Sequence, residues 1–164
     1  MRHIISVLIE NEAGALSRVA GLFSARSFNI VSLTVAPTED ETLSRMTIVT
    51  TGDDNVVEQI TKQLNKLVDV VRVIDMTKHE HIEREVMLCK FAINGSEDKE
   101  TIKKIIKSIK SHILDEGDAT CTVEFLGTIS DHDAFLNGLN KVTVLEVVRS
   151  GATGIICGEK TLTL

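Results

Sequence analysis

Residues 3–10 are apolar almost without a break, which suits a central strand buried on much of both faces. Leu16, Val19, Ala20 and Phe23 then recur at i, i+3, i+4 and i+7, so the spacing predicts a helix that lays one stripe on a sheet. Val31, Leu33 and Val35 alternate with Ser32 and Thr34, the period of a strand that opens near Asn29. The polar stretch Pro37 to Thr42 reads as a hairpin loop, and Leu43 to Thr50 alternates again. Gly52 and Asp53 stop that strand and cap a second helix carrying Val57, Ile60, Leu64 and Leu67. Val68 to Ile74 closes the unit. The order is βαββαβ, the split unit of ferredoxin-like folds.

The pattern recurs. Val86 to Ile93 alternates as a strand, Ile102, Ile105, Ile106 and Ile109 stripe a helix, and two short strands, Ile113 to Leu114 and Thr120 to Leu126, flank the turn Asp115 to Asp118. Ser130, with Asp131 and Asp133, opens a helix carrying Phe135, Leu136 and Leu139, and Val142 to Val148 is a final strand. The expected fold is therefore α+β, two ferredoxin-like βαββαβ domains in tandem: residues 1–76, a polar connector at 77–84, and residues 85–164. The stretch after Gly151 has no period and is expected to be irregular.

Composition narrows the function classes. In 164 residues, Trp and Tyr are absent and aromatics are 3%, too few for stacking bases, and the net charge of −6 lacks the footprint of a nucleic-acid or membrane-surface protein. Lys99, Lys103, Lys107 and Lys110 fall on one helix side behind Glu97, Asp98 and Glu100, an order that matches the helix dipole and favours a solvated face over a polyanion site. Cys89, Cys121 and Cys157 have no ligand spacing and read as reduced apolar fillers. With no apolar run of membrane-spanning length, the expectation is a soluble cytoplasmic protein without a nucleic-acid or membrane partner.

No catalytic or metal constellation is present in the sequence. His3, His79, His81, His112 and His132 are scattered and read as solvated, and neither a nucleophile elbow nor a phosphate-binding glycine loop occurs. The informative segment is 11–35. Gly14 lets an anion approach the backbone at a helix start, where N–H groups are unpaired. Asn11 is either a ligand contact or a cap for the helix, and spacing alone favours the cap. Asn29 at a strand opening needs a hydrogen-bond partner, from backbone, water or ligand.

Asn-Glu-x-Gly-x-Leu-x-Arg from Asn11, followed by Phe-Asn-Ile-x-Ser-Leu-Thr-Val from Phe28, resembles an ACT domain, a βαββαβ module that binds amino acids at domain interfaces. With Ala36-Pro-Thr, Leu43-Ser-Arg-Met-Thr-Ile, Gln63-Leu-Asn-Lys-Leu-Val-Asp-Val, Glu83-Arg-Glu-Val-Met-Leu and Glu146-Val-Val-Arg-Ser-Gly in order, residues 1–155 resemble the small regulatory subunits of acetohydroxyacid (acetolactate) synthase. The resemblance implies a chain with no active site and no cofactor of its own. Thiamine diphosphate, Mg2+ and FAD belong to the catalytic large subunit, which the small subunit activates and makes sensitive to valine in branched-chain amino-acid synthesis. It also implies an ACT-domain homodimer whose valine site uses Asn11, Ala13, Gly14 and Ala15 of one chain with Asn29 and Ile30 of the other, supported by Ser17, Thr34 and Ala36. The tail from Ala152 to Lys160 departs from the more basic tail of the family and receives no role. The alternative is a stand-alone ACT-type sensor acting on another enzyme or on transcription.

Overall fold

The structure, a computed structural model, describes residues 1–109, 111–139 and 142–163. It divides into two compact units, Met1–Glu83 with Ala152–Leu164, and Arg84–Gly151. In the first unit β1 (Arg2–Glu10), α1 (Ala15–Ala25), β2 (Ile30–Pro37), β3 (Leu43–Thr51), α2 (Asp54–Leu64) and β4 (Val70–Asp75) follow in order. The strands form an antiparallel sheet β2-β3-β1-β4, with Val7 opposite Met46 and Val73. Ile5, Val7, Ile9, Met46 and Ile48 pack with Val19, Phe23, Val57, Ile60 and Leu64 in one core. The period-2 alternation of strands thus meets the period-3.6 stripes of the helices.

Three local expectations shift. The buried stripe of α1 is Ala15, Val19, Leu22 and Phe23; Leu16 is 43% exposed and Ala20 is exposed. Val19 and Phe23 keep the core side, and Ala15 and Leu22 complete the buried stripe in place of Leu16 and Ala20. β4 begins at Val70, since 65–69 turn and Val68 is exposed. β2 begins at Ile30, and Asn29 precedes it with its carbonyl accepting from the Thr50 hydroxyl (2.6 Å). α2 is capped as expected by Asp53, whose side chain accepts from the Val56 N–H at 2.9 Å.

The polar stretch expected as a connector is ordered secondary structure. A 3₁₀ turn, Met76–Lys78, leads into β5 (His81–Ala92), so residues 81–84 are already strand. Then come α3 (Ser96–Ile109), β6 (His112–Glu116), β7 (Thr120–Gly127), α4 (Ile129–Gly138) and β8 (Val144–Arg149), in a sheet ordered β6-β7-β5-β8. The chain is therefore a tandem of ferredoxin-like units. Its second core holds Met87, Phe91, Ile102, Val123 and Phe125, with Phe125 and Phe135 rings 4.1 Å apart. Cys89 and Cys121 are buried there as fillers, and burial pushes the Cys89 thiol up to about 11. Helix α4 begins one residue ahead of the expected Ser130, and Thr128 is the cap, in a reciprocal box with Asp131. The Ile109 side chain and Lys110, both part of the expected α3 pattern, lie outside the described residues.

Two histidines expected to be solvated are buried. His3 is 2% exposed, with neither ring nitrogen bonded, and His132 is 1% exposed, with Nδ1 3.3 Å from Glu85 Oε2. Both sit on the core side of their element, where an imidazole packs as a flat apolar body.

The tail changes the domain picture most. Residues after Gly151 are not an irregular end of the second unit: β9 (Thr153–Ile156) pairs with β5, and Ala152, Ile156 and Leu162 are buried in the first unit. The tail runs over the sheet face turned away from α1 and α2. Thr34 donates to the Ala152 carbonyl (2.8 Å), Arg72 donates to the Thr163 carbonyl (3.0 Å), and Gly154 lies against Met76 and Ile4. This second cover explains why seven consecutive residues of β1 are buried.

Candidate functional site

At the end of β1 the chain must turn within four residues into α1. Gly14 makes that turn with φ 90°, in the left-handed region that favours glycine, and it leaves the helix without a side-chain cap. The Ala15 N–H donates to the Glu12 carbonyl (3.2 Å), and the Leu16 and Ser17 N–H groups, without a partner among the described residues, stay open to an outside acceptor. Asn11 does not cap the helix. Its backbone N–H donates to the Thr42 carbonyl (2.7 Å) and its side-chain amide to the Glu41 carbonyl (2.9 Å), which binds the turn to the β2–β3 loop. The Asn11 side-chain oxygen has no protein partner among the described residues.

An ion pair missed in the sequence fixes this turn. Arg18 forks onto Asp69, with Nη2 2.7 Å from Oδ1 and Nε on Oδ2, and the Asp69 carbonyl accepts from the Glu10 N–H at 2.8 Å. Asp69 is 4% exposed, and the Arg18 guanidinium holds its carboxyl below the usual carboxylate range. The arginine closes the Asn-Glu-x-Gly-x-Leu-x-Arg motif, a signal of importance, but its partner lies 51 residues away and only the fold supplies it. A Cβ on Gly14 would stand 2.9 Å from Arg18 Nη1.

Between this turn and the second half of β2 lies a groove of about 230 Å³. Asn11, Ala15, Leu16, Val35, Ala36 and Ser44 line it, and the half-exposed Leu16 and Val35 give it an apolar wall. Ala13 and Ser17 are exposed beside it. Asn29 and Ile30 are not there. Ile30 pairs with Thr50, which pairs with His3, whereas Asn11 follows Glu10 at the other end of β1. Seven residues of strand separate the two ends by about 23 Å. One chain alone does not bring the expected site together. Thr34 points to the opposite sheet face, its hydroxyl already given to Ala152. Among the described residues no three His, Cys, Asp or Glu side chains are grouped to hold a metal, and no helix is long and apolar enough to cross a membrane.

Two βαββαβ units, the first with an open glycine turn leading into its first helix, define a regulatory protein of the ACT type. Residues 5–72 match the family of ACT domains like those of the acetohydroxyacid synthase small subunit, and residues 84–158 match the small subunit of acetolactate synthase. The chain is 51% identical to an acetolactate synthase small subunit of Haemophilus influenzae, with 99% of each chain covered. It is likewise 51% identical to the isozyme 3 small subunit of Escherichia coli, with 98% of each covered. The crystal structure of the small subunit from Thermotoga maritima superposes with a TM-score of 0.87 at 35% identity, covering 98% of this chain and 99% of that one. The chain belongs to the acetolactate synthase small-subunit family.

Proposed function

We propose that this chain assembles with a catalytic large subunit of acetolactate synthase, raises its activity, and makes that activity sensitive to valine held between two copies of its first unit. The observation that carries the two-copy site is the separation of Asn11 and Gly14 from Asn29 and Ile30 within one chain. β2 supplies a means of joining two copies. It is an edge strand of eight residues without a charged side chain, and Val31 is 51% and Val35 40% exposed. Edges that must stay unpaired are usually short, charged or bulged; the register of β2 shifts between Ile30 and Ser32, but from Ser32 to Pro37 it runs uninterrupted and uncharged, which fits pairing of that stretch with a second copy.

In this arrangement the valine carboxylate rests on the open N–H groups at the start of α1 and the ammonium on asparagine or main-chain oxygens. The isopropyl group lies against Ala13, Ala15 and the partner's second-strand residue at position 30. One methylene is worth roughly 1–3 kcal/mol, so isoleucine and leucine are weaker effectors and not excluded ones. Thiamine diphosphate, Mg2+ and FAD serve the large subunit in the cytoplasm, and this chain contributes no catalytic group. For inhibition, valine binds the less active arrangement of the complex more tightly.

Acetolactate formation from pyruvate by the purified large subunit, measured alone, with this chain, and with this chain plus millimolar valine, tests the reading. Activation that valine reverses is expected. Activation without valine sensitivity overturns the effector site, and no effect on a matched large subunit overturns the partnership in favour of a stand-alone sensor.

A further inference from the structure

A second cavity, of about 550 Å³, opens on the sheet face that the tail crosses. That volume lies within the range of small-molecule sites. Its floor is Leu8, Leu43 and Leu162, at most 8% exposed, and Arg45 borders it. Arg45 stands on β3 opposite Leu8 and Ala36. Its Nε donates to the Ser6 hydroxyl at 2.9 Å, and Nη2 reaches the Gly154 carbonyl only at 3.5 Å. A guanidinium carries five N–H donors, and these two partners are neutral. Among the described residues Arg45 has no carboxylate within ion-pair distance, whereas Arg2 pairs with Glu83 at 2.6 Å and Arg149 with Asp133 at 2.9 Å. A half-buried cation without a counter-ion is costly, and burial pulls the Arg45 proton affinity down. Arg45 also lines a smaller cavity, about 190 Å³, together with Lys160.

We propose that this cavity binds a small monocarboxylate with an apolar body, its carboxylate on Arg45 and its hydrocarbon on Leu8, Leu43 and Leu162. Glu39 and Asp40 also line the cavity. They repel a dianion such as phosphate more than a monoanion and accept an ammonium, which fits an α-amino acid with an apolar side chain; the corresponding 2-oxo acid meets Arg45 and the leucines alone. Both share the carboxylate and the apolar body, and only the first carries an ammonium. The site shares Ala36 and Pro37 with the groove at Asn11 but none of Asn11, Gly14, Asn29 or Ile30. It stands independently of the valine reading. Because Thr153, Leu162 and Thr163 of the tail line it, a bound ligand also clamps the tail.

Calorimetric titration of the full chain carrying Gly14→Asp, which weakens the proposed valine site, tests this cavity through the part of the binding that substitutions in the cavity remove. The probes are valine, 3-methyl-2-oxobutanoate and the neutral 3-methylbutanamide, each to about 10 mM, a range that reaches millimolar dissociation constants. Saturable binding of either carboxylate but not of the amide is expected, and which carboxylate binds identifies the source. Adding Arg45→Gln should weaken it at least about tenfold, as loss of a charged hydrogen bond does. Adding Thr153→Phe, which fills the cavity from an exposed tail position, should abolish it. Circular dichroism checks folding, and Thr153→Phe decides the matter if Arg45→Gln does not fold. Absence of binding by both carboxylates, equal binding of the amide, or binding indifferent to the cavity substitution overturns the proposal.

Discussion

Gly14→Asp places an anion where the effector carboxylate is expected. Two carboxylates about 5 Å apart at an effective dielectric of about 20–30 repel by about 2–3 kcal/mol. That repulsion weakens valine about 30- to 150-fold. Two local effects modify the figure. The new Cβ stands 2.9 Å from Arg18 Nη1, so the guanidinium shields part of the added charge, although its fork onto Asp69 restrains it from swinging fully across. The backbone at φ 90° strains any L residue, by about 1 kcal/mol, and aspartate tolerates it better than most. Gly14→Ala carries the strain and the Cβ without the charge and separates the two causes. The assay is the valine concentration that half-inhibits acetolactate formation by the reconstituted enzyme. Activation should persist in both variants, with the half-inhibiting concentration rising by the calculated factor for aspartate and by less than about fivefold for alanine. Equal shifts in the two variants would mean that backbone geometry, not carboxylate repulsion, governs the site. No shift for aspartate would place the effector elsewhere.

Asp69 has its folded pKa depressed by Arg18, so its stabilising contribution is complete above the ordinary aspartate value near 4 and fades as pH falls through the lower folded value. Asp69→Asn should therefore be less stable than the parent at neutral pH by a margin that shrinks in acid; urea midpoints measured down to about pH 2.5 would refute this if the margin stayed constant. Gly154→Leu drives a side chain into Met76 and Ile4, whose atoms lie 2.7 and 3.3 Å from the position of a Cβ. The expected cost is about 1–3 kcal/mol in urea denaturation, or release of the tail seen as fast hydrogen exchange, and an unchanged midpoint with a protected tail would refute the packing described.

The expected site was legible only as parts. Asn11, Gly14 and Asn29 stand out because glycine and asparagine at strand ends are expected to answer to a turn or a hydrogen bond: Gly14 does so by its positive φ and Asn11 by its bonds to the β2–β3 loop, whereas Asn29 is bonded to Thr50 only through its main-chain carbonyl, as any residue there could be. Their distances from one another were not legible, because a local pattern does not say which end of a sheet a residue occupies once strands pair. Arg18 was visible in its motif but not its role, since Asp69 reaches it only after β4 docks against β1.

By itself the sequence determined what depends on local period and composition: two βαββαβ runs, their order, the cap at Asp53, and the family, whose motifs extend over nearly the whole chain. Periodicity encodes which face of an element is apolar, and that survives without tertiary information. Tertiary structure alone decided what covers each face. It turned Leu16 outward beside Val35, buried His3 and His132, and laid the tail on the first sheet, because a strand buried on both sides shows only a continuous apolar run and does not name its second cover. Arg45 follows the same logic: one charge in an alternating strand looks solvated until a distant segment folds over it.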